Sequence, residues 1–275
     1  MNGALELSLA RLGGATRIAR HYQRSPLHVY RPIHLDPNLP EMAFIFVQQF
    51  GDGFVGGDRC RIEVDCGPGT AVHVTTQAAT NLYRANGNLA VQLVGLRVGA
   101  EAVLEYLPDA VVPFRDSQFF QRTCLTVDSQ ATAIVAEVLL PGRVARGELH
   151  AYGLYCAETQ ARRPDGTLVF ADRLCLEPAA GRGVRSLALL GGEGSIATMY
   201  VVTRRKPPEE LVEMLRDAPV DDDVLAGVSE LPNGAGASVR LLGGTSKGVR
   251  AALKDCWQAA RLGLLGAPVP DLRKG

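Results

Sequence analysis

Cys66-Gly67-Pro68-Gly69-Thr70-Ala71-Val72-His73-Val74 decides the reading of this chain, because RVGAEAVLE (97–105) and DSQATAIVA (128–136) superpose on it. Ala71, Ala102 and Ala133 then correspond, 31 residues apart each time. Each unit holds two or three short strands and a turn, and one such unit cannot bury its apolar face alone. Stacking is implied, as in a β-solenoid or coiled sheet. A plain β-sandwich whose hairpins echo one another is the alternative.

Around these units the pattern is the same. Short alternating stretches such as Arg61-Ile62-Glu63-Val64-Asp65-Cys66 end at Gly, Pro, Asn or Asp, which is strand grammar from about residue 4 to about residue 205. Ala43–Val47 and Leu187–Leu190 have the length of core strands, and no apolar run approaches the roughly 18–20 residues of a spanning helix. The last third differs. Pro207-Pro208-Glu209-Glu210 leads into Leu211, Met214 and Leu215 on one face, predicting a helix over about 207–217. A second helix is predicted over about 245–264, with Val249, Leu253, Trp257, Ala260 and Leu264 on its stripe and Gly263 or Gly266 stopping it. The fold class is therefore mainly β, coiled and β-helix-like or layered, with two C-terminal helices capping a single domain.

Composition narrows the function. The 275 residues carry 29 Lys+Arg against 29 Asp+Glu, which disfavours a generic nucleic-acid or polybasic membrane partner. With 47% hydrophobic residues the chain can bury a full core. The N-terminus lacks a basic leader and an apolar stretch, so a cytoplasmic protein is expected. Six cysteines without a CxxC pair and five histidines without an HxxxH pair write no permanent metal site.

Gly51-Asp52-Gly53-Phe54-Val55-Gly56-Gly57-Asp58 contains the GxGxxG spacing, but a strand follows where a dinucleotide site needs a helix. The stretch reads as a bulged turn whose Asp58 carboxylate a cation could use. Glu105 stands alone in an apolar stretch and needs a partner, either a metal in transit or an arginine such as Arg84 or Arg122. Arg143, Arg146 and Glu148 share a loop that reads equally as a recognition surface or an internal ion-pair network. No Ser-His-Asp order, nucleophile elbow, P-loop or paired catalytic carboxylate emerges.

FVGGDRCRIEV (54–64), TTQAATNLYR (75–84), LEYLPD (104–109), Val112-Pro113-Phe114, PGRVARGE (141–148), GVSELPNGAGASVRLLGG (227–244) and the late Trp257 together resemble the urease accessory protein UreD family, called UreH in some organisms. The ordered match runs from about Gly14 to Gly266. The resemblance implies a non-catalytic, chaperone-like maturation factor with a coiled β fold and two helices. It would bind apo-urease, UreF and, through UreF, the GTPase UreG, with UreE delivering nickel indirectly. No cofactor would be permanently bound, but Ni²⁺ would pass transiently. A conduit favours exchangeable oxygen ligands over tight nitrogen or sulfur cages. Asp58, Glu105 and Glu148 are accordingly the candidate nickel-path or interface carboxylates, and Arg143 and Arg146 the candidate docking residues. The alternative is a β-rich enzyme with its acid or nucleophile among Asp58, Glu105 and Cys60.

Overall fold

A computed structural model describes residues 2–51, 53–178, 184, 190 and 194–272. Strands β1 (Asn2–Leu12) and β2 (Ala15–Arg24) form an antiparallel hairpin, and β3 (Leu27–Val29) and β4 (Ala43–Gln49) form a second one. The coil then begins. Strand β5 (Gly53–Phe54) leads into it, and the first full turn holds β6 (Arg59–Cys66), β7 (Ala71–Thr76) and β8 (Thr80–Leu82), with β8 lying parallel beside β5 one turn on. The second holds β9 (Ala90–Val98), β10 (Val103–Tyr106) and β11 (Val111–Pro113), and the third β12 (Gln118–Val127) and β13 (Thr132–Leu139). After a loop come β14 (Leu154–Arg162), β15 (Leu168–Leu176) and β16 (Ser195–Val202). Helix α1 (Pro208–Arg216), β17 (Val224–Glu230), β18 (Gly236–Gly243) and helix α2 (Ser246–Leu265) complete the chain.

Two sheets result. The first runs β15-β14-β12-β9-β6-β1-β2 and the second β17-β18-β16-β13-β10-β7-β4-β3. Pairing is parallel through β1-β6-β9-β12-β14 and β4-β7-β10-β13, as successive turns of a coil require, and antiparallel at the outer strands. The solenoid-like expectation is met. Two strands, β17 and β18, lie beyond residue 205, between the helices, because an antiparallel extension of the second sheet gives α1 and α2 a surface to cover.

The repeat is offset by one residue from the alignment of alanines. Val103 pairs with Ala71 on one side and Thr132 on the other, so the step is 32 residues and then 29. What is constant is the corner between sheets: residues 67–70, 99–102 and 128–131. The fourth N–H of each donates to the first carbonyl: Thr70 to Gly67 (3.3 Å), Ala102 to Gly99 (3.1 Å) and Ala131 to Asp128 (3.2 Å). Gly69 and Glu101 both occupy the left-handed region at the third position, at φ 65° and 60°. Corner geometry, not residue identity, sets the register.

Strand alternation then sorts the side chains. Leu5, Leu7, Ile62, Val64, Leu96 and Leu125 face Val72, Val74, Leu104 and Tyr106 in the core between the sheets. The other face of the second sheet, including Ile134, Ala136, Val138 and Met199, is buried under α1 and α2. Helix α2 starts at Thr245, whose hydroxyl accepts from Gly248 N (3.1 Å), and ends at Gly266 with φ 66°. Residues 187–189 lie outside the described residues, whereas Ala43–Val47, expected to be a core strand, lies within β4. No helix among the described residues is long and apolar enough to cross a membrane.

Candidate functional site

The alternation that builds the core also divides the buried charges into two groups. Within β13, Ala133, Val135 and Leu139 belong to the core between the sheets, and Glu137 shares their face. Its Oε1 accepts from Thr159 Oγ1 (2.9 Å), Gln121 Nε2 (3.1 Å) and, at 3.5 Å, Thr123 Oγ1. Burial pushes the Glu137 carboxyl above the ordinary carboxylate range, against the pull of the Thr159 and Gln121 bonds. It lines a cavity of about 140 Å³ at the late end of the coil, with Tyr155, Thr159, Asp172, Tyr200 and Arg240.

Asp172 is the second carboxylate of that cavity. Tyr200 Oη donates to its Oδ2 at 2.6 Å and Arg240 pairs with the same oxygen. Burial pushes the Asp172 carboxyl up, but Tyr200 and Arg240 together hold it below the ordinary range. The cavity thus joins a carboxyl that favours its proton to one held ionised, among hydroxyls. Carboxylate and hydroxyl oxygens are weak, exchangeable donors, and Arg240 already balances the Asp172 charge, so a cation reaching this cavity would have to displace that guanidinium. Neither residue stands out in the sequence, since each reads as a single polar position in a strand; the signal is that Glu137 breaks the inward apolar alternation of β13.

The second group lies on the outer face of the second sheet. Phe44, His73, Glu105 and Ile134 are register partners across β4, β7, β10 and β13. His73 Nδ1 is 2.8 Å from Glu105 Oε2, and the His73 ring stacks between Phe44 (5.1 Å) and Trp257 of α2 (5.2 Å). Arg261, one helical turn beyond Trp257, donates to both Glu105 oxygens (2.9 and 3.0 Å), to Asp36 and to Pro268 O (3.1 Å). Arg261, Glu105 and His73 are 0% exposed and Asp36 2%. Glu105 therefore points away from the coil interior, and its partners are Arg261 and His73. Arg84 and Arg122, the arginines expected for it, pair instead with Asp116 and Glu158. Arg261 and Asp36 carry no local signal, because the contact spans 225 positions.

The remaining sequence candidates lie elsewhere. Asp58 is buried in the glycine-rich turn, where Val55 N donates to its Oδ2 at 3.0 Å and Val91 N to its carbonyl at 2.8 Å. Glu148 receives a two-pronged bond from Arg143 (2.7 and 2.6 Å), and this holds its carboxyl below the ordinary range. Arg143 also lies 3.8 Å from the centre of the Phe114 ring. Arg146 is exposed in the same loop. Asp58, Glu105 and Glu148 each have different partners, and among the described residues no three His, Cys, Asp or Glu side chains form a metal-holding group. Burial pushes the buried Cys60 thiol above its ordinary value, the reverse of nucleophile activation.

The UreD urease accessory protein family model matches residues 1–274. The chain belongs to the UreD family. Among relatives, a urease accessory protein UreD 2 of Streptomyces griseus is 42% identical over 99% of this chain and 93% of its own length. A UreD of Cenarchaeum symbiosum is 35% identical (98% and 95%), and a UreD 2 of Brucella suis 34% (98% and 90%). These UreD proteins are named as accessory proteins, and the likeness extends over almost the whole coil and both helices.

Proposed function

We propose that the chain acts in the cytoplasm as a non-catalytic urease maturation factor. It binds apo-urease, joins UreF and through it UreG, and supports insertion of Ni²⁺ supplied by way of UreE, serving as scaffold and conduit. The observation that carries this reading is the family match over residues 1–274, with relatives named urease accessory proteins. Supporting it, the Glu137–Asp172 cavity offers carboxylate and hydroxyl oxygens without a nitrogen or sulfur cage, and nickel, here the cargo, would enter by displacing Arg240 from Asp172 and leave as that pair re-forms. Asp58 and Glu148 remain candidate path or interface carboxylates, with Arg143 and Arg146 as docking residues. We read Glu105 as the anchor of α2 first.

The test is nickel content and activity of urease from cells expressing its structural subunits, UreE, UreF and UreG, with and without this chain. Loading only in its presence is expected; identical loading without it refutes the maturation role. Glu137→Gln is expected to reduce nickel loading while leaving the complex with apo-urease intact. Unchanged loading removes Glu137 from the path. Alanine at Asp58, Glu105 and Glu148 completes the series, with thermal melting of each variant separating lost passage from lost folding.

A further inference from the structure

Zero net charge conceals a polarised molecule. From Leu7 to Leu35 there is no Asp or Glu, but there are five arginines (11, 17, 20, 24 and 31) and three of the five histidines (21, 28 and 34). The acids flanking this stretch are engaged, Glu6 with Arg61 and Asp36 with Arg261. The stretch forms β2 and β3, the terminal strands of the first and second sheets, so both sheets end here. Between them runs a groove of about 620 Å³ whose lining includes Arg17, His21, His28, Tyr30, Arg31 and His34, with no carboxylate among the described lining residues.

Three features set this edge apart. Thr16 N is bonded to Glu41 O, but from Arg17 to Tyr22 no backbone bond other than those to β1 is made among the described residues. Arg17, Ala19, Arg20, His21, Tyr22 and Arg24 are all exposed, so the strand is open on both faces as well as along its edge. Large apolar groups gather beside it: Tyr30 is 65% exposed, Phe50 55% and Tyr22 49%. The His28 ring lies 4.6 Å from Tyr30 and 5.7 Å from Phe50. Charge alone would serve to keep other edges away. Arginine mixed with exposed aromatic rings is instead the composition of a binding surface.

We propose that the β2 edge docks an extended acidic segment of a partner protein. The segment adds to the first sheet through backbone hydrogen bonds and lays its carboxylates against Arg17, Arg20 and Arg31. A cation is the wrong occupant for a groove lined by arginine, despite its histidines. A second copy of this chain has an acidic pole, where Glu209, Glu213, Asp217 and Glu230 outnumber Arg216 in the lining of a groove between α1 and β17. Contact between unlike poles is heterologous, so it builds a ring where its rotation closes and a fibre where it does not; a partner segment of the right charge occupies the edge without either. The inference locates one partner contact of the maturation role, and its test does not depend on urease.

The experiment uses the purified full chain and a fluorescein-labelled alternating Glu-Val octapeptide, read by anisotropy at low and physiological salt. Saturable binding is expected, weakened at least tenfold by salt and by Arg17→Glu, Arg20→Glu and Arg31→Glu together. An alternating Gln-Val peptide and a Glu-Val peptide N-methylated at every second residue should bind at least tenfold more weakly. Should the charge-reversed variant fail to fold by circular dichroism, the three Arg→Gln changes replace it. Equal binding of the N-methylated peptide, tighter binding of a single-stranded oligonucleotide, or head-to-tail self-association in light scattering overturns the proposal. If urease maturation requires the chain but the peptide does not bind, the function stands and this inference falls.

Discussion

Arg261→Met removes the guanidinium from beneath α2 while keeping an unbranched apolar stem. In the parent chain that guanidinium meets both oxygens of Glu105, Asp36, the Pro268 carbonyl at 3.1 Å and Met42 Sδ at 3.7 Å, without exposure to solvent. Methionine leaves the Glu105 and Asp36 carboxylates buried without the guanidinium that bridges them. Breaking a buried ion pair from one side costs about 3–5 kcal/mol, a large part of the roughly 5–15 kcal/mol that holds a folded domain. For a chain of this size each kcal/mol shifts the melting temperature by about 2–4 °C, so a fall on the order of 10 °C is expected by circular dichroism or calorimetry. Arg61→Met is the control: its pair with Glu6 has side chains 49% and 38% exposed, and its loss should cost under about 1 kcal/mol. Glu105→Gln placed on top of Arg261→Met should recover part of the loss, because it removes one stranded charge. If Arg261→Met melts with the Arg61→Met control, the cluster does not anchor the helix and the reasoning fails.

Glu137 titrates with a definite sign. Its folded value is raised, so the stability linked to it is complete below the ordinary carboxylate value and is lost as pH rises through the raised one. Glu137→Gln, whose amide oxygen can accept the same bonds, should therefore be more stable than the parent at pH 7, with the gap closing by about pH 4; a gap independent of pH refutes this. Glu148 has the opposite sign: its depressed carboxyl contributes stability above the ordinary value that is lost as pH falls through the depressed one. Hydrogen exchange of the 140–153 loop should thus be protected at pH 7 and lose that protection on acidification, with Glu148→Gln insensitive. Thr245→Ala, which removes the acceptor for Gly248 N, should cost about 1 kcal/mol in denaturant unfolding. Gly56→Ala would drive a Cβ into the Ala85 carbonyl between adjacent turns of the coil and should cost more than about 2 kcal/mol, whereas Gly87→Ala meets no atom and suffers only from its φ of 83°.

What the sequence made legible follows from the range of each interaction. The coil was readable because its corners are local: four residues close each turn, and the strands on either side alternate by the pleat. The alignment slipped by one residue because Ala102-Val103 mimics Ala71-Val72, while the backbone bond from Ala102 to Gly99 places Ala102 level with Thr70. Both helices were readable from proline, threonine and glycine at their ends. Glu105 was recognisable as a carboxylate needing a partner, yet no local pattern points to an arginine 156 positions away. Glu137 and Asp172 were missed for a related reason. Their environment is made by five strands, and apart from the break that Glu137 makes in the apolar alternation of β13, only the assembled cavity distinguishes them from surface positions.

An open solenoid is stabilised turn by turn, each unit leaning on its neighbours. A buried charge cluster of this chain departs from that scheme. Asp36 comes from the segment before the coil, His73 and Glu105 from its first and second turns, and Arg261 from the last helix. The cluster therefore ties the start, middle and end of the sequence at one buried point on the outer face of the second sheet. The helices do not merely cap the end of the coil; they lie along it and make its turns depend on one another. That arrangement leaves the inner face of the same sheet free for the Glu137 cavity, so strand alternation separates the charges that hold the fold from those that face its interior. The β2 edge and the acidic α1–β17 pole, at opposite ends of this body, then present charge that is not consumed by folding.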